Sequence, residues 1–375
     1  MKILVLNYEF PPIGGGGASV SYDISKRLVC RGHSVEVVTM GFKDLLEDEI
    51  VEGMHIHRVK CLRKEKFVCH PWEQLTYIIS TIKYLNTSLK TNHYDIAHVH
   101  FIIPTGVVAR YLKRKYGLPY VLTAHGSDVP GHNNKRFGAL YALLKKPWRA
   151  IVKDASATVA LSDYLKNLIC KNMNHECDDR IQVISNGIDT KLYCPTSKDK
   201  SILLMGRIQE TKGMQDILSA LTPDILRDWK VRIVGDGPYR KELERIVLEN
   251  GLKGNVIFHG WLKSKSKEQL KILSTSAIFM SGSYFENSPV TLLEAYCSGC
   301  KVVVSDIKAH RELMGDKASY FPVSDKEAIR KAISETMDSY NEEVTLDSDE
   351  VKSYDWETKI DQYEGLLQKE SSINK

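Results

Sequence analysis

The chain has 375 residues, a length that favours two domains over one. Hydrophobic residues make up 43% of the chain and charged residues 26%, which excludes disorder as its main state. The net charge of +5 is too small to indicate a nucleic-acid partner.

The first half of the chain alternates strand-like and helix-like segments. Residues 2–8 are predicted to form a buried strand, followed by a glycine-rich loop and a helix in which Val20, Ile24 and Leu28 recur every four positions. Further strands are predicted at 35–39, 95–100, 119–124, 156–160 and 181–185. Buried strands separated by helices indicate a parallel sheet with helices on both faces.

The same pattern restarts near residue 201, with strands predicted at 202–205, 231–235, 256–259, 278–281 and 302–305. The sequence therefore predicts an α/β fold with two doubly wound, Rossmann-like domains at 1–193 and 194–352, and a helical tail at 353–375. We expect the ligand in a cleft between these domains, because open α/β sheets bind ligands at the carboxyl ends of their strands.

A candidate phosphate site lies at the start of a helix in the second domain. Ser288 is suited to the N-cap of this helix and Pro289 to its first position. The N–H groups of Val290 and Thr291 would then be unpaired at the helix end. Such an end attracts phosphate through aligned dipoles and free donors.

Two carboxylates flank this helix start. Glu286 lies in the loop before it and Glu294 lies inside it, eight residues later. They can bind two distant groups of one ligand, and they are too far apart in sequence to be an obvious acid/base pair. A solvent-facing helix carboxylate equally explains Glu294 when it is taken alone.

Two basic residues follow the first strand of the second domain. Arg207 and Lys212 are placed by the prediction in the first strand-to-helix loop, near the same sheet edge. Arginine offers a bidentate fork to phosphate and lysine a point charge. A departing diphosphate needs such positive charge. A surface loop held by salt bridges is the alternative explanation.

Four glycines, residues 14–17, follow the first predicted strand, and Gly16 and Gly17 are candidates for contact with a ligand. Glycine permits close approach of a ligand to the backbone. The spacing fits the G-x-G-x-x-G dinucleotide pattern poorly, and the next strand ends in Val38-Thr39-Met40 without an acid for a ribose. This argues against a nicotinamide enzyme, and a surface loop remains the alternative.

His125 lies directly after a predicted strand, where it would face the cleft. A histidine at such a strand end is a candidate for substrate contact. His98 and His100 share one face of another strand. That pair lacks a third ligand for a metal, so core packing or acceptor contacts explain it better, and the sequence predicts no metal site.

The basic residues of the chain are concentrated in its first half. Residues 1–193 hold 26 basic and 18 acidic side chains, and the remainder holds 26 and 29. The segment 135–153 combines six basic residues with apolar residues such as Trp148 and Ile151, which suits an anionic membrane surface. A surface helix that packs its apolar side on the domain explains the segment equally well.

The scattered cysteines resemble no disulfide framework, so we expect reduced thiols in a cytoplasmic protein. The chain opens on a strand-like segment, which predicts no signal peptide. The longest uncharged apolar stretch, residues 96–109, is too short to span a bilayer. The sequence indicates no oligomeric state.

Together these motifs resemble the retaining glycosyltransferases of family 4, which have the glycosyltransferase B fold of two Rossmann-like domains. The resemblance covers nearly the whole chain. Its motifs, in chain order, are YEFPPIGGGG, TAHGSDV, SNGID, GRIQETKG, VGDGP, HGWL, the pair Glu286/Glu294, SDIKAHREL and the final tryptophan-containing helix. In that family the last helix returns to the first, acceptor-side domain.

The resemblance implies a role for each candidate residue towards a nucleotide-sugar donor, which is a substrate rather than a cofactor. Arg207 and Lys212 would neutralise the diphosphate together with Ser288, Val290 and Thr291. Glu294 would bind the ribose, and the backbone near Trp261 and Leu262 would hold the base. Glu286 and His125 would contact the transferred sugar, and Gly16 and Gly17 the phosphate or the acceptor.

The resemblance thus predicts a metal-independent hexosyltransferase that uses a UDP-sugar in preference to a GDP-sugar. Its acceptor would be a glycan or a lipid-linked glycan in cell-surface polysaccharide or glycolipid synthesis, and its location the cytoplasm or the inner membrane face. Three alternatives remain: a nucleotide-sugar epimerase or hydrolase on the same fold, a nicotinamide-dependent dehydrogenase, which the missing ribose acid disfavours, and a non-catalytic nucleotide-sugar binding protein, which the four charged site residues disfavour.

Overall fold

The computed structural model describes residues 1–132, 134–174, 179–340 and 345–373. Within the second of these ranges, side chains are described from residue 143 onward. The chain divides into two compact units, which are Met1–Ser185 with Lys359–Lys375, and Asn186–Thr358. Each unit is built on its own sheet, with helices between successive strands.

The first unit contains an eight-stranded sheet. Its strands are β1 (Lys2–Leu6), β2 (Ser34–Met40), β3 (Asp48–Val51), β4 (Met54–Val59), β5 (Ile96–His100), β6 (Tyr120–Ala124), β7 (Ala157–Ala160) and β8 (Ile181–Val183). Their spatial order is β3-β4-β2-β1-β5-β6-β7-β8, and all pairs are parallel except β3–β4. β5 and β6 are buried at every position, as expected of strands covered on both sides.

Five helices connect these strands: α1 (Gly16–Cys30), α2 (Pro71–Ser88), α3 (Thr105–Tyr116), α4 (Asn134–Asp154) and α5 (Asp163–Asn172). The predicted helical spacing in α1 is confirmed, because Val20, Ile24 and Leu28 are all buried. The order of the sheet reverses between β1 and β5, so the loops after these two strands diverge at one edge.

The second unit contains a six-stranded, fully parallel sheet. Its strands are β9 (Asp199–Met205), β10 (Lys230–Val234), β11 (Val256–Gly260), β12 (Ser276–Ser281), β13 (Lys301–Ser305) and β14 (Ala318–Phe321). The order β11-β10-β9-β12-β13-β14 is the doubly wound order, with its reversal between β9 and β12. The predicted fold class of two parallel-sheet α/β domains is thereby confirmed.

The helices of the second unit are short. They are α6 (Met214–Ala220), α7 (Pro223–Leu226), α8 (Arg240–Glu249), α9 (Lys267–Thr275), α10 (Val290–Cys297), α11 (Lys308–Met314), α12 (Lys326–Asp338) and α13 (Ser348–Ser353). The last helix, α14 (Trp356–Ser372), begins in the second unit and continues into the first. There Asp361 and Glu364 pair with Arg31 at 2.6 and 2.8 Å.

Three strands were not predicted, namely β3, β4 and β14. β4 is buried, yet it carries His57 and Arg58, which interrupt the apolar run. Acidic residues on β3 compensate them, since His57 Nδ1 lies 2.8 Å from Asp48 Oδ1 and Arg58 binds Glu49. Because these buried side chains are polar and find their partners on a neighbouring strand, β4 lacks the apolar run by which a buried strand is predicted from sequence.

The sequence predicted no membrane-spanning segment and only reduced cysteines. No helix among the described residues is long and apolar enough to cross a membrane. Cys170 in α5 is disulfide-bonded, whereas the other described cysteines are free. The prediction of reduced thiols was therefore wrong for Cys170, because spacing along the chain does not report which cysteines fold together.

Candidate active site

In the second unit, the loops after β9 and β12 meet at the point where the strand order reverses. The Tyr284 N–H donates to the Thr211 carbonyl at 3.0 Å and joins the two loops. Gly213 and Gly282 allow this approach, because a Cβ on Gly213 would lie 1.9 Å from the Gly282 carbonyl oxygen. The two loops therefore approach so closely at Gly213 and Gly282 that a side chain does not fit there. This close packing holds the other residues of the loops in place.

Lys212 and Glu286 form an ion pair across these loops. The Lys212 ammonium donates to Glu286 Oε1, and the Ser283 hydroxyl donates to the same oxygen at 2.8 Å. Lys212 ends a short 3₁₀ helix, Glu210–Lys212, that follows β9. The structure therefore brings together two residues that the sequence placed in separate motifs, 74 positions apart.

Glu286 is ionised despite its burial. Burial alone raises the pKa of its carboxyl group, but the Lys212 ammonium and the Ser283 hydroxyl outweigh burial, so the net pKa lies below the ordinary value. His310 lies near enough to act on Glu286, and burial lowers the pKa of His310, which keeps the imidazole neutral. The edge presents one carboxylate, one ammonium and one neutral imidazole.

The predicted helix start at 288–289 needs one correction. Helix α10 begins at Val290, with Pro289 as the N-cap and no side-chain cap. Ser288 therefore lies one position before the N-cap, and its hydroxyl oxygen accepts from the Asn186 N–H at 3.1 Å. The N–H groups of Val290 and Thr291 have no partner among the described residues, so the predicted unpaired donors are present at this helix end.

Glu294 does not face solvent, which eliminates that alternative. Only 6% of the residue is exposed, and its Oε1 accepts from the Tyr193 hydroxyl at 2.7 Å. Tyr193 lies in the segment that precedes β9. A buried carboxylate that accepts a hydrogen bond from a fixed hydroxyl has a defined orientation, which a solvated helix glutamate lacks.

The remaining predicted residues of this unit lie in loops at the carboxyl ends of its strands. Arg207 is half-buried in the loop after β9. Trp261 and Leu262 follow β11 directly, and Trp261 is 64% exposed while Leu262 packs on the core.

In the first unit, His125 follows β6 and is held by its neighbours. Its backbone N–H donates to Asp128 Oδ1 at 2.9 Å, and its Nε2 lies 3.0 Å from His100 Nδ1. Asp128 Oδ2 in turn accepts from the Ile102 N–H at 2.7 Å. Asp128 therefore ties the loop after β5 to the loop after β6, which is where the predicted strand ends bring His100 and His125 together.

The imidazoles of this cluster are neutral at ordinary pH. Burial lowers the pKa of His125 to about 3 and that of His98 to about 3. Burial also lowers the pKa of His100, and the neighbouring imidazoles add to the effect. His125 can therefore act as a neutral hydrogen-bonding group and not as a cation.

The predicted glycine loop is partly helical, because Gly16 and Gly17 form the first turn of α1. Gly17 packs against the histidine cluster: a Cβ there would lie 2.5 Å from Phe101 Cζ and 3.2 Å from His125 Nδ1. Gly16 has nothing within 4 Å of the same position. Gly17 is therefore not part of a surface loop. The packing around it leaves no room for a side chain.

His98 and His100 are buried, as core packing predicts. His98 Nε2 lies 2.9 Å from the Thr123 hydroxyl, and the two imidazole rings are 4.3 Å apart. Within the described ranges, no group of three or more His, Cys, Asp or Glu residues is arranged to hold a metal ion. One ring nitrogen of each imidazole has a partner, namely the Thr123 hydroxyl on β6 for His98 and the imidazole of His125 for His100.

The segment 135–153 falls in α4, and its side chains up to residue 142 lie outside the described residues. Trp148 and Ile151 are 1% exposed and belong to the core, and Trp148 Nε1 donates to the Asp128 carbonyl at 2.9 Å. Of the two interpretations left open for this segment, Trp148 and Ile151 therefore follow the one in which apolar side chains pack on the domain.

Sequence reasoning missed the residues that orient the site. Ser283 lies three positions before Glu286 in the same loop, so a search for nearby hydroxyls would have found it. Tyr193 lies 101 positions before Glu294, and no local signal connects them. Asp128 stands within the TAHGSDV motif and was passed over because its carboxylate serves backbone groups.

Comparison with known proteins assigns the family. The family model described as Glycosyltransferase Family 4 matches residues 14–192, and the model described as Glycosyl transferases group 1 matches residues 199–339. The chain therefore belongs to the glycosyltransferases of the family 4 and group 1 type. The resemblance in the sequence motifs is confirmed, as is the expectation of a glycosyltransferase.

Individual relatives agree over most of the chain. An uncharacterized glycosyltransferase of Methanocaldococcus jannaschii, MJ1607, is 28% identical over 337 residues, which are 84% of this chain and 83% of that protein. The structure of sucrose-phosphate synthase from Thermosynechococcus elongatus matches with a TM-score of 0.83 at 17% identity, covering 98% and 99% of the chains. Anabaena HepE in complex with UDP-glucose matches with a TM-score of 0.76 at 18% identity, covering 98% and 100%.

Proposed function

We propose that this glycosyltransferase moves a hexose or N-acetylhexosamine from a nucleoside-diphosphate sugar to a glycan or lipid-linked acceptor, with retention at the anomeric carbon. The Lys212–Glu286 ion pair at the β9/β12 reversal carries the proposal. One sheet edge there offers a cation for a leaving diphosphate and an oriented carboxylate for sugar hydroxyls.

The second unit would hold the nucleotide part of the donor. Arg207 and Lys212 would neutralise the diphosphate, and the Val290 and Thr291 N–H groups would donate to its oxygens. The Ser288 hydroxyl accepts from Asn186, and its own hydrogen remains to donate to a phosphate oxygen. These groups supply positive potential from the chain itself, which supports a reaction without a metal.

The nucleoside and the sugar would contact the remaining residues. Glu294, oriented by the Tyr193 hydroxyl, would accept from the ribose hydroxyls, and the backbone at Trp261 and Leu262 would hold the base. We favour uridine over guanosine as the base. HepE, a structural match, is seen in complex with UDP-glucose, which supports this choice by analogy only.

In the first unit, neutral His125 would donate to or accept from a hydroxyl of the transferred sugar. Gly16 and Gly17, in the first turn of α1, would contact a phosphate or the acceptor. The proposal also places the reaction at the inner face of the cytoplasmic membrane, where the excess of basic residues in 1–193 would meet anionic lipid.

Retention follows if attack and departure use one face of the sugar. The acceptor oxygen bonds to the anomeric carbon while the bond from that carbon to the diphosphate oxygen breaks. The electron pair of the broken bond stays on the diphosphate, which takes the proton of the acceptor hydroxyl. Arg207 and Lys212 would stabilise the charge that develops on this leaving group.

The test is product analysis by proton NMR with UDP- and GDP-sugars, with and without a chelator and an acceptor glycan. The proposal expects a glycoside with the anomeric configuration of the donor, formed equally well in chelator. Inversion of that configuration, or activity only with a divalent metal, would contradict it. Conversion of the donor to its epimer, or to free sugar at the same rate without acceptor, would favour an epimerase or hydrolase.

A further inference from the structure

A buried histidine of the second unit is bonded to the end of β13. His310, in α11, is fully buried, and its Nδ1 lies 2.8 Å from the Ser305 carbonyl oxygen and 3.3 Å from the Ser305 hydroxyl oxygen. Ser305 is the last residue of β13 and is fully buried too. Any contribution of these two side chains to the reaction must therefore pass through the residues that they contact.

The hydrogen bonds fix the tautomer of His310. The Ser305 hydroxyl donates its one hydrogen to the Ser283 carbonyl at 2.6 Å, so its oxygen can only accept from His310. The Ser305 carbonyl oxygen is an acceptor as well, and it also receives the Ile307 N–H at 2.9 Å. Nδ1 of His310 therefore carries the hydrogen. Because burial lowers the pKa of His310, the imidazole is neutral at pH 7 and its Nε2 carries no hydrogen.

The same bonds fix one peptide group in the loop after β12. Its carbonyl oxygen, from Ser283, accepts from the Ser305 hydroxyl. Its N–H, from Tyr284, donates to the Thr211 carbonyl at 3.0 Å. A peptide group is planar, so a bond at each end sets the orientation of the whole group. The Ser283 side chain leaves the backbone directly before this peptide, and its hydroxyl donates to Glu286 Oε1 at 2.8 Å.

The two carboxylate oxygens of Glu286 have different surroundings. Oε1 accepts from both the Lys212 ammonium and the Ser283 hydroxyl. For Oε2, the part of the chain that the structure describes offers no hydrogen-bond partner. Oε2 is therefore the oxygen that can accept from a hydroxyl of the transferred sugar. Its direction depends on the two donors that hold Oε1.

We propose that His310 and Ser305 are positioning residues for the transfer reaction, which hold Glu286 through the Ser283–Tyr284 peptide so that Oε2 is directed at the sugar. The inference rests on the proposed function, in which Glu286 contacts the transferred sugar. A purely structural role would only lower stability when either residue is changed. A positioning role also changes the ionisation of Glu286, because a carboxylate that loses a well-placed hydrogen-bond donor binds its proton more tightly.

The experiment compares His310→Phe, which removes the Nδ1 donor, with His310→Asn, whose side-chain amide can donate from the same position. Ser305→Ala interrupts the chain of bonds and keeps the imidazole, so the direct electrostatic effect of His310 on Glu286 stays in place. Carbon-13 NMR of the glutamate carboxyl groups, assigned with Glu286→Gln, follows the titration without donor or acceptor. We expect a raised pKa of Glu286 in His310→Phe and Ser305→Ala, and the wild-type value in His310→Asn.

The rate of transfer should change in the same variants. We expect kcat to fall about tenfold in His310→Phe and Ser305→Ala, since a displaced group contributes less to the transition state. The KM for the donor should change less than kcat, because the groups that hold the diphosphate are untouched. His310→Asn should recover most of the lost rate.

Thr336→Val is the matched control, because it also removes a buried hydroxyl from the second unit, in α12. It should lower the unfolding midpoint about as much as Ser305→Ala and leave kcat and the pKa of Glu286 unchanged. The proposal is overturned if His310→Phe and Ser305→Ala keep the wild-type pKa of Glu286, if Thr336→Val raises that pKa equally, or if His310→Asn behaves as His310→Phe does. Absence of transfer by the wild-type chain, with the pKa changes present, would overturn the proposed function alone.

Discussion

The two units carry different chemistry at the same place in the same kind of sheet. In the first unit, the loops after β5 and β6 hold buried, neutral imidazoles beside a helix that starts with glycines. In the second, the loops after β9 and β12 hold an ion pair beside α10, whose first two N–H groups have no partner in the part of the chain that the structure describes. The fold supplies an edge of strand ends, and the side chains decide whether that edge is suited to an uncharged or a charged group.

The largest difference should appear in catalysis. Glu286→Gln removes the charge that faces Lys212 while keeping the shape of the side chain, and we expect the transfer rate to fall about 100-fold or more. Donor affinity should change less than the rate, because Arg207 and Lys212 remain. Glu268→Gln, at an exposed position of α9, is the matched control and should keep the wild-type rate. Equal losses in both variants would remove Glu286 from the proposed mechanism.

The second difference concerns pH. His98 and His125 have a pKa of about 3 in the folded chain, against about 6.5 when unfolded, so the unfolded state binds more protons below that value. Their stabilisation is complete above pH 6.5 and is lost as the pH falls towards 3, by about 2 kcal/mol for each at pH 5. Burial raises the pKa of Asp128 to about 6, so the folded state binds more protons than the unfolded state at this group. Protonation of Asp128 therefore recovers about 1 kcal/mol of the lost stability at pH 5.

Glu286 in the second unit causes no comparable loss of stability between pH 7 and pH 5, because its pKa lies below the ordinary value and it stays ionised at pH 5. Hydrogen exchange at pH 7 and pH 5, corrected for the intrinsic rate, should therefore show the core strands of the first unit opening more readily at pH 5. The strands of the second unit should change less. Equal protection of β5 and β6 at both values would show that the histidines do not titrate as described.

The third comparison separates a ligand-binding role of Glu294 from a structural one. Glu294→Ala should weaken donor binding by about 1.5–3 kcal/mol, as expected for lost hydrogen bonds to a charged group. Tyr193→Phe removes the partner of the same carboxylate and keeps its charge, so we expect a smaller loss of affinity. Titration calorimetry with UDP measures both. Unchanged donor affinity in Glu294→Ala would overturn the assignment of the ribose to Glu294.

The smallest expected effect distinguishes two adjacent glycines in α1. Gly17→Ala places a methyl group against Phe101 and His125 and should lower the free energy of unfolding by about 1–3 kcal/mol. Gly16→Ala meets open space, and because alanine favours the helix it should raise stability by about 0.5 kcal/mol. Urea unfolding of both variants measures the difference. A stable Gly17→Ala would show that the histidine cluster is looser than its distances indicate.

The sequence predicted those features that follow from local pattern. Apolar runs located β5 and β6, and the helix-start signal at Ser288 and Pro289 located, to within one residue, the helix that separates Glu286 from Glu294. It could not predict partners that only folding brings together. Tyr193 reaches Glu294 across 101 positions, and β4 buries His57 and Arg58 against acids on β3. The predicted cap at Ser288 was wrong because the helix begins one residue later, with Pro289 at the N-cap.

Helix α2 illustrates the same limit. Its exposed apolar residues Trp72, Leu75 and Ile79 have ordinary helical spacing, and the sequence does not show that the opposite side of α2 already fills the core. Segment 135–153 has a more conspicuous mixture of basic and apolar residues, yet Trp148 and Ile151 are internal. Exposure is a property of the packed unit, which composition alone does not report.

The most direct test of the account is thermal unfolding of the wild-type chain and of Lys212→Gln against UDP-, GDP- and ADP-sugars in the presence of a chelator. A ligand at 100 times its dissociation constant adds about 2.7 kcal/mol of stability, which shifts the unfolding midpoint measurably. The account predicts a shift with UDP-sugars, reduced in Lys212→Gln and retained in the control Lys253→Gln. No shift with any donor, or an equal shift in all three proteins, would contradict the assignment of the diphosphate site to Lys212.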